Sequence, residues 1–396
     1  MIPIYSLTYS IPYVIAFLFL GSLAYIEQKS PNRKNIIRRI CILFFLIFFG
    51  LRGFVAWDWM GYYPTFESID RLTEFTSDSF VVIMDNGREL DLIEPGYVLY
   101  VSFIKTIFNN WHFFIFISSL IDILIIDIFI RRFSPNYAFA ILVFCSISFV
   151  LEFDLMRNIK ALGIFLLAID SIIHRRWFIF VLLTLIGISF HRSFLVFIPL
   201  YFVGMKNFGR SIWIIIFIIC NIIYFTHIPI ATYVVEKLML LGGDLSVKAI
   251  DYAGSDSMSA ARGFTLGYIV RSLVFLCVTA NYNKILQLNK ELIIILNIYL
   301  AYFIINTAFT DFGILATRLD LLFGISLWIL YPILSYLYKG TKRKLFIGFI
   351  SSYLLLTITQ RTSNAMYDYE NLLTGYANYE ERYSTHRSIA YEILDE

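Results

Sequence analysis

Five stretches of the chain set arginines, carboxylates and a histidine at the ends of apolar runs. They are Arg52 and Asp58 in "LRGFVAWDWMGYY", Glu94 in "LIEPGY", Arg157 in "DLMRNIKALG", His191 and Arg192 in "FHRS", and Asp311 and Arg318 in "FTDFGILATRLD". Guanidinium groups in this number suit a substrate that carries diphosphate, because each planar fork binds two oxygens and steadies a leaving diphosphate. Arg52, Arg157 and Arg318 are the candidates for that task, with Arg192 beside them. A hydroxyl nucleophile needs a base within hydrogen-bond reach, and His191 has an ordinary pKa of about 6.5, suited to proton transfer near neutrality. Asp58 or Glu94 can do the same or orient a sugar. Trp57, Trp59, Tyr62 and Tyr63 can stack on sugar rings, and Asn158 offers an amide next to Arg157. Taken singly, each has a plainer reading. Boundary arginines snorkel, Trp and Tyr form interfacial belts, Glu94 caps a helix opening at Pro95, and Asp154 holds Arg157 as a helix-end charge. Five stretches together argue for a site.

Such residues need a scaffold that gathers the ends of many apolar runs. The 396 residues are 59% hydrophobic and 15% charged, with a mean hydropathy of +0.73, whereas soluble domains are about a quarter charged. The implied fold class is all-α and polytopic, in the membrane. With about 20 residues to a crossing, spans fall near 7–26, 37–55, 112–130, 137–154, 157–174, 177–190, 193–205, 211–230, 263–281, 291–308, 313–338 and 343–360. The pair 177–190 and 193–205 is short for two crossings and suits broken or tilted helices meeting at Phe190 to Ser193. The apolar part of "EPGYVLYVSFIKTIFNN", Glu94 to Asn110, suits a re-entrant or interfacial helix. About twelve crossings and one non-crossing helix result, in a single domain over 1–360 with long connections at 56–111 and 231–262. The polar, acidic tail 361–396 is rich in tyrosine and suits a surface helix.

Lysine and arginine collect in cytoplasmic connections. Placing 29–39, 131–132, 174–176, 206–210, 284–290 and 339–344 in the cytoplasm alternates every crossing and leaves both termini outside. Counting 95–110 as a crossing would turn the later basic loops outward. All five chemical stretches then share the outer face. Asp127 and Asp170 find partners in Arg131 and His174 at i,i+4 spacing. Asp122 has no such neighbour and stands as a buried charge facing the bundle. Cys41, Cys145, Cys220 and Cys277 lie singly in apolar runs as packing residues. The opening "MIPIYSLTYS" lacks a basic n-region, so the first run is expected to be a retained span. There is no D-x-D, H-E-x-x-H or clustered Cys/His metal motif and no glycine-rich phosphate loop. This favours a lipid-linked donor over a sugar nucleotide, with no metal or other cofactor. A net charge of +3 gives no reason to expect nucleic acid.

In order and sidedness these stretches resemble the EpsG family of bacterial polysaccharide polymerases, related in role to the Wzy O-antigen polymerases. The family pattern runs as an arginine followed by V-G-x-D and a tyrosine, then E-x-G-Y, R-Q-x-x-A, F-H-x-S, and a late arginine opening a span. This chain has "RGFVAWDWMGYY", "EPGY", "RNIKA", "FHRS" and "ATRLDLLF", across roughly residues 45 to 335. It departs at Ala56, where the family usually has glycine, and at Asn158, where it usually has glutamine. The resemblance implies a GT-C-like, metal-independent glycosyltransferase of the bacterial inner membrane with its site on the periplasmic face. It would move a growing glycan from undecaprenyl pyrophosphate onto a new lipid-linked repeat unit. A chain-length regulator and a flippase are the partners that the resemblance implies.

Two other readings stay open. A lipid-linked oligosaccharide flippase would line a path through the midplane with its charges, whereas these crowd one face. An O-antigen ligase would share the donor and differ in acceptor, and the order of the motifs favours the polymerase.

Overall fold

The computed structural model describes residues 3–85, 90–230, 232–233, 237, 264–310 and 313–395. The described residues are almost wholly helical, the one sheet being a hairpin of Ile83–Asp85 with Leu90–Leu92. Most of the connection 231–262, and Asp311, lie outside the described residues. The chain divides into two compact units, residues 1–198 with 347–396, and residues 199–346.

The first unit holds α1 (Ile11–Lys29), α2 (Lys34–Phe45), α3 (Trp59–Ser68), α4 (Pro95–Ile107), α5 (Trp111–Phe133), α6 (Tyr137–Val143), α7 (Val150–Phe153), α8 (Met156–Ile173) and α9 (Trp177–Phe190). Local chemistry sets their starts. Asn110 and Asn136 accept from the amides of Phe113 and Phe139 at 2.9 and 2.8 Å, capping α5 and α6. The buried Glu27 carboxylate takes the next two free amides of α6, Tyr137 at 3.0 Å and Ala138 at 2.9 Å. Pro95 opens α4, where its missing N–H costs nothing.

Charge distinguishes the two ends of this bundle. At the basic end, Asp127 receives Arg38 at 2.6 Å and Arg131 at 3.0 Å, while Asp170 receives Arg132, His174 and Arg176 at 2.9, 3.2 and 3.5 Å. Both i,i+4 pairs expected from the sequence are present, each joined by an arginine from another helix. At the opposite end, the amide of Ser6 donates to Ser363 and that of Ala365 to Ile4, both at 2.8 Å, so α1 begins where the helix Gly340–Thr362 ends. Helix α4 stays within this second end. Near its far terminus Lys105 donates to the carbonyls of Phe66, Glu67 and Ile69, each at 2.8 Å, and Thr106 accepts from the amide of Leu72. The lysine thereby satisfies carbonyls left open where α3 ends.

Three described helices are long and apolar enough to cross a membrane, Leu7–Lys29, Trp111–Phe133 and Gly209–Thr226, and two bent pairs raise the number to five. The sequence suggested about twelve crossings. The difference has a local cause in this unit, since the second run is interrupted by a π turn at Leu46–Gly50 and the fourth by another at Phe144–Ser148. The run from 177 bends at His191, between α9 and the short 3-10 turn Arg192–Phe197.

The tail folds back on the first unit instead of trailing away. Tyr369 donates to the carbonyl of Phe48 at 2.7 Å, Asn371 to that of Ile47 at 2.8 Å, and the Leu372 amide to that of Leu51 at 2.8 Å. These are carbonyls in and around the π turn, which an apolar surround could not otherwise satisfy. A tail helix, Tyr379–Asp395, follows. Its Arg382, a buried residue, donates to the Phe54 carbonyl at 3.0 Å and reaches Glu370 at 3.2 Å.

The second unit packs around the buried helix Leu292–Ala308, with Trp213 stacked on Phe275 at 5.1 Å. Its bent pairs are Leu266–Ala280 with Tyr282–Leu288, at 64°, and Ala316–Phe323 with Ile325–Leu337, at 51°. Asn297 gathers the carbonyls of Val203, Gly204 and Lys206 at 3.1, 2.8 and 2.9 Å.

Candidate functional site

Four of the five stretches meet at the second end of the first unit. Arg157 stands in the first turn of α8, just after Leu155 leaves helical geometry at φ −101°, ψ 52°. Its Nη1 donates to Glu94 Oε2 at 2.8 Å and its Nε to the Tyr62 hydroxyl at 3.4 Å, with the arginine 6% and the glutamate 9% exposed. The other oxygen of Glu94 accepts from the amide of Arg192 at 3.3 Å. One carboxylate thus ties the start of α4 to α8 and to the turn after α9. Burial pushes the Tyr62 phenol above its ordinary pKa, and the Arg157 guanidinium works against that rise.

The glycine of E-P-G-Y has a steric reason. A Cβ on Gly96 would lie 2.3 Å from Ser189 Oγ and 2.7 Å from the Ser189 carbonyl oxygen. Only glycine lets α4 and α9 approach closely enough to bring Glu94 to Arg192. Tyr97 follows, fully buried against Tyr62 with ring centroids 6.1 Å apart.

His191 is extended at φ −164°, ψ 135°, and its Nδ1 accepts the Ser193 amide at 3.1 Å. A neutral imidazole whose Nδ1 is an acceptor carries its proton on Nε2, so the ring offers a donor there. With that tautomer the ring can hydrogen-bond an oxygen through Nε2.

Asp58 precedes α3 and is partly exposed. The turn that delivers it is constrained on three sides. Ala56 adopts φ +75°, a left-handed conformation that suits glycine, which accounts for the glycine of the family pattern. Its amide donates to the Met366 carbonyl at 2.8 Å and its carbonyl accepts from Trp59 Nε1 at 3.1 Å. Beyond it, the Trp57 and Asp58 amides both donate to Asp154 Oδ1, at 2.7 and 3.1 Å, and the Tyr367 hydroxyl donates to Asp154 Oδ2 at 3.1 Å. The plainer reading of Arg157 had Asp154 as its partner. Asp154 holds this turn, and Arg157 goes to Glu94.

The remaining candidates divide. Arg52 is buried, giving Nη1 to the Phe49 carbonyl at 2.8 Å and Nη2 to that of Glu152 at 2.6 Å, so its guanidinium closes helix ends. Trp59 and Tyr62, candidates for stacking on a sugar, lie in a buried cluster. Trp59 is 3% exposed between Phe54, Tyr379 and His386, and Tyr62 is 4% exposed, so neither presents a free face. Tyr63 is half-buried and stacked on Tyr379 at 4.3 Å, and Trp57 packs partly buried against Ala365 and Met366. Asn158 is buried. Arg318 belongs to the second unit, exposed on the helix Gly313–Phe323.

One turn below Arg157, Lys160 pairs with Asp122 and donates to the Ser118 carbonyl at 3.0 Å. This is the partner that Asp122 lacked in the sequence. The spacing of Lys160 three residues after Arg157, on one helix face, was the available signal.

A family model described as EpsG family matches residues 35–376. No curated protein and no solved structure matches the chain.

Proposed function

The chain belongs to the EpsG family, and from that premise we propose that it is a polysaccharide polymerase joining undecaprenyl-pyrophosphate-linked repeat units on the periplasmic face of the bacterial inner membrane. The observation that carries this reading is the buried Arg157, held between Glu94 and Tyr62 at the end of the bundle opposite the basic connections. The positive-inside rule turns the basic end to the cytoplasm and this end outward. About twelve crossings in a GT-C-like arrangement and independence of metal belong to the same proposal.

In the proposed reaction, Arg157 takes the diphosphate of the donor lipid, and Arg192, whose amide shares Glu94 with it, is a further candidate for its oxygens. Asp58 removes the proton of the acceptor hydroxyl. That oxygen forms the new bond to the anomeric carbon of the growing glycan as the bond from that carbon to the diphosphate oxygen breaks. The electron pair leaves with the lipid diphosphate, stabilised by Arg157 and by a hydrogen bond from His191 Nε2. The proton passes from Asp58 to water.

The test is the gel profile of surface glycan from cells lacking the protein, complemented with wild type, Arg157→Ala or Asp58→Asn. A single repeat unit on the acceptor in the deletion strain, and a ladder restored by wild type alone, is the expected result. Loss of even the single capped unit in the deletion strain would point to a flippase or ligase and overturn the reading. A normal ladder from either variant would remove that residue from the reaction.

A further inference from the structure

The geometry points to Asp154 as a positioning residue that, together with Tyr367 of the C-terminal segment, sets where the Asp58 carboxylate stands relative to Arg157. The inference rests on the proposed polymerase reading for what Asp58 does, and on hydrogen bonds alone for how it is held.

Asp154 is 6% exposed, and all three of its described hydrogen bonds go to the approach to Asp58 or to the tail. A carboxylate accepting two consecutive amides fixes the orientation of the peptide plane between them, so the Cα of Asp58 has little freedom of its own. The turn is held in a conformation that alanine disfavours, at φ +75°, and such a conformation persists only where its surroundings over-determine it. The surroundings are Asp154 on one side and the tail on the other. The Met366 carbonyl accepts the Ala56 amide, the Glu370 carbonyl accepts the Gly53 amide at 2.9 Å, and Arg382 donates to the Phe54 carbonyl. A Cβ on Gly53 would lie 2.9 Å from the Cβ atoms of both Glu370 and Tyr376, so tail and turn are in direct contact.

Asp154 also ends the short α7, and α8 with Arg157 opens two residues later. The group that would bind diphosphate and the turn that would carry the base are thereby anchored to one short segment, 154–157. The tail enters through Tyr367, which makes the C-terminal segment part of the acceptor side of the site. None of these bonds touches Arg157, Glu94 or Tyr62, so donor binding should not depend on them.

Two measurements on full-length protein in nanodiscs test this. Amide hydrogen exchange is read for the peptide containing Trp57 and Asp58 and for the peptide spanning α4. Polymerisation is read with lipid-linked repeat units extracted from the producing cells, separating turnover from donor affinity. Asp154→Ala is expected to speed exchange at 57–58 at least tenfold with α4 unchanged, and to lower turnover about 100-fold with donor affinity within threefold. Asp154→Asn keeps an acceptor oxygen for both amides and is expected to recover turnover to within about tenfold of wild type. Tyr367→Phe removes one hydroxyl, so it remains informative if Asp154→Ala fails to fold, and it is expected to lower turnover three- to tenfold at unchanged donor affinity. Unchanged exchange at 57–58 in Tyr367→Phe and Asp154→Asn, with wild-type turnover in both, would overturn the inference. So would a parallel loss of donor affinity and turnover, the mark of a merely structural role. If wild type itself fails to extend lipid-linked repeats, the polymerase reading falls, while the exchange result still decides how Asp58 is held.

Discussion

Replacing Glu94 by glutamine is expected to move donor affinity and turnover in opposite directions. In the free protein the Glu94 carboxylate occupies the fork of Arg157 at 2.8 Å, and both side chains are buried. A donor diphosphate must therefore displace a carboxylate before it can use the same guanidinium. A hydrogen bond to a charged group contributes about 1.5–3 kcal/mol, and about 1.4 kcal/mol is tenfold in a binding constant. Glu94→Gln removes the competing charge while the amide can still bond the Arg192 backbone, so the donor should bind roughly 10- to 100-fold more tightly. The lipid diphosphate left after transfer gains by the same factor. Where its release limits the cycle, turnover falls correspondingly.

The assay is equilibrium binding of extracted lipid-linked repeat units to protein in nanodiscs, beside single- and multiple-turnover rates. Single-turnover rate should stay within a few fold of wild type while the multiple-turnover rate drops. A second readout is thermal. The variant leaves a buried guanidinium without its counter-charge, a loss of about 3–5 kcal/mol, and added inorganic pyrophosphate should restore much of that stability. Weaker donor binding in Glu94→Gln would refute the exchange argument, because it would mean that the carboxylate helps to form the diphosphate site and does not compete for it.

Gly96→Ala should separate α4 from α9, because its Cβ would overlap Ser189. Overpacking of this kind costs about 1–3 kcal/mol, and the shortened surface ladder should accompany a lower unfolding temperature in detergent. Ala56→Gly should stabilise the protein by about 1 kcal/mol, since it relieves a left-handed alanine, and a lower unfolding temperature would count against the strain argument. Acid should loosen the tail. Burial, with Arg382 nearby, lowers the His386 pKa from 6.5 to about 3. Below pH 6.5 the unfolded form then binds a proton that the folded form refuses. The stability is complete above pH 6.5 and falls as pH drops toward 3, by roughly 3 kcal/mol at pH 4.5. Cleavage after Glu380 and Glu381 by a glutamate-specific protease, corrected for its rate on denatured chain, should rise at pH 4.5 in wild type. A His386→Gln variant should show a smaller rise.

Much of this end of the molecule was legible because charge in an oily chain is costly, so each charged residue near a boundary carries information. Glu94, Arg157, His191 and Arg192 were picked on that ground, and they meet. Their pairing was less legible. Arg157 and Glu94 are 63 positions apart, and Lys160 and Asp122 are 38 apart, so only the rotation of each helix within the bundle brings them together. Local spacing is trustworthy where a helix is continuous, as for Asp127 with Arg131 and Asp170 with His174. It misleads at a break. Asp154 and Arg157 are three apart, the spacing of neighbours on one helical face, yet Leu155 between them is non-helical and turns the two side chains to different tasks. The same limit explains the tail. Its composition is that of a solvated segment, and nothing in its pattern records that the π turn at Leu46–Gly50 leaves carbonyls for Tyr369 and Asn371 to fill. A segment whose hydrogen-bond demand arises from another segment's irregularity has no periodicity of its own to show. It becomes readable only once the irregular backbone that it completes is known.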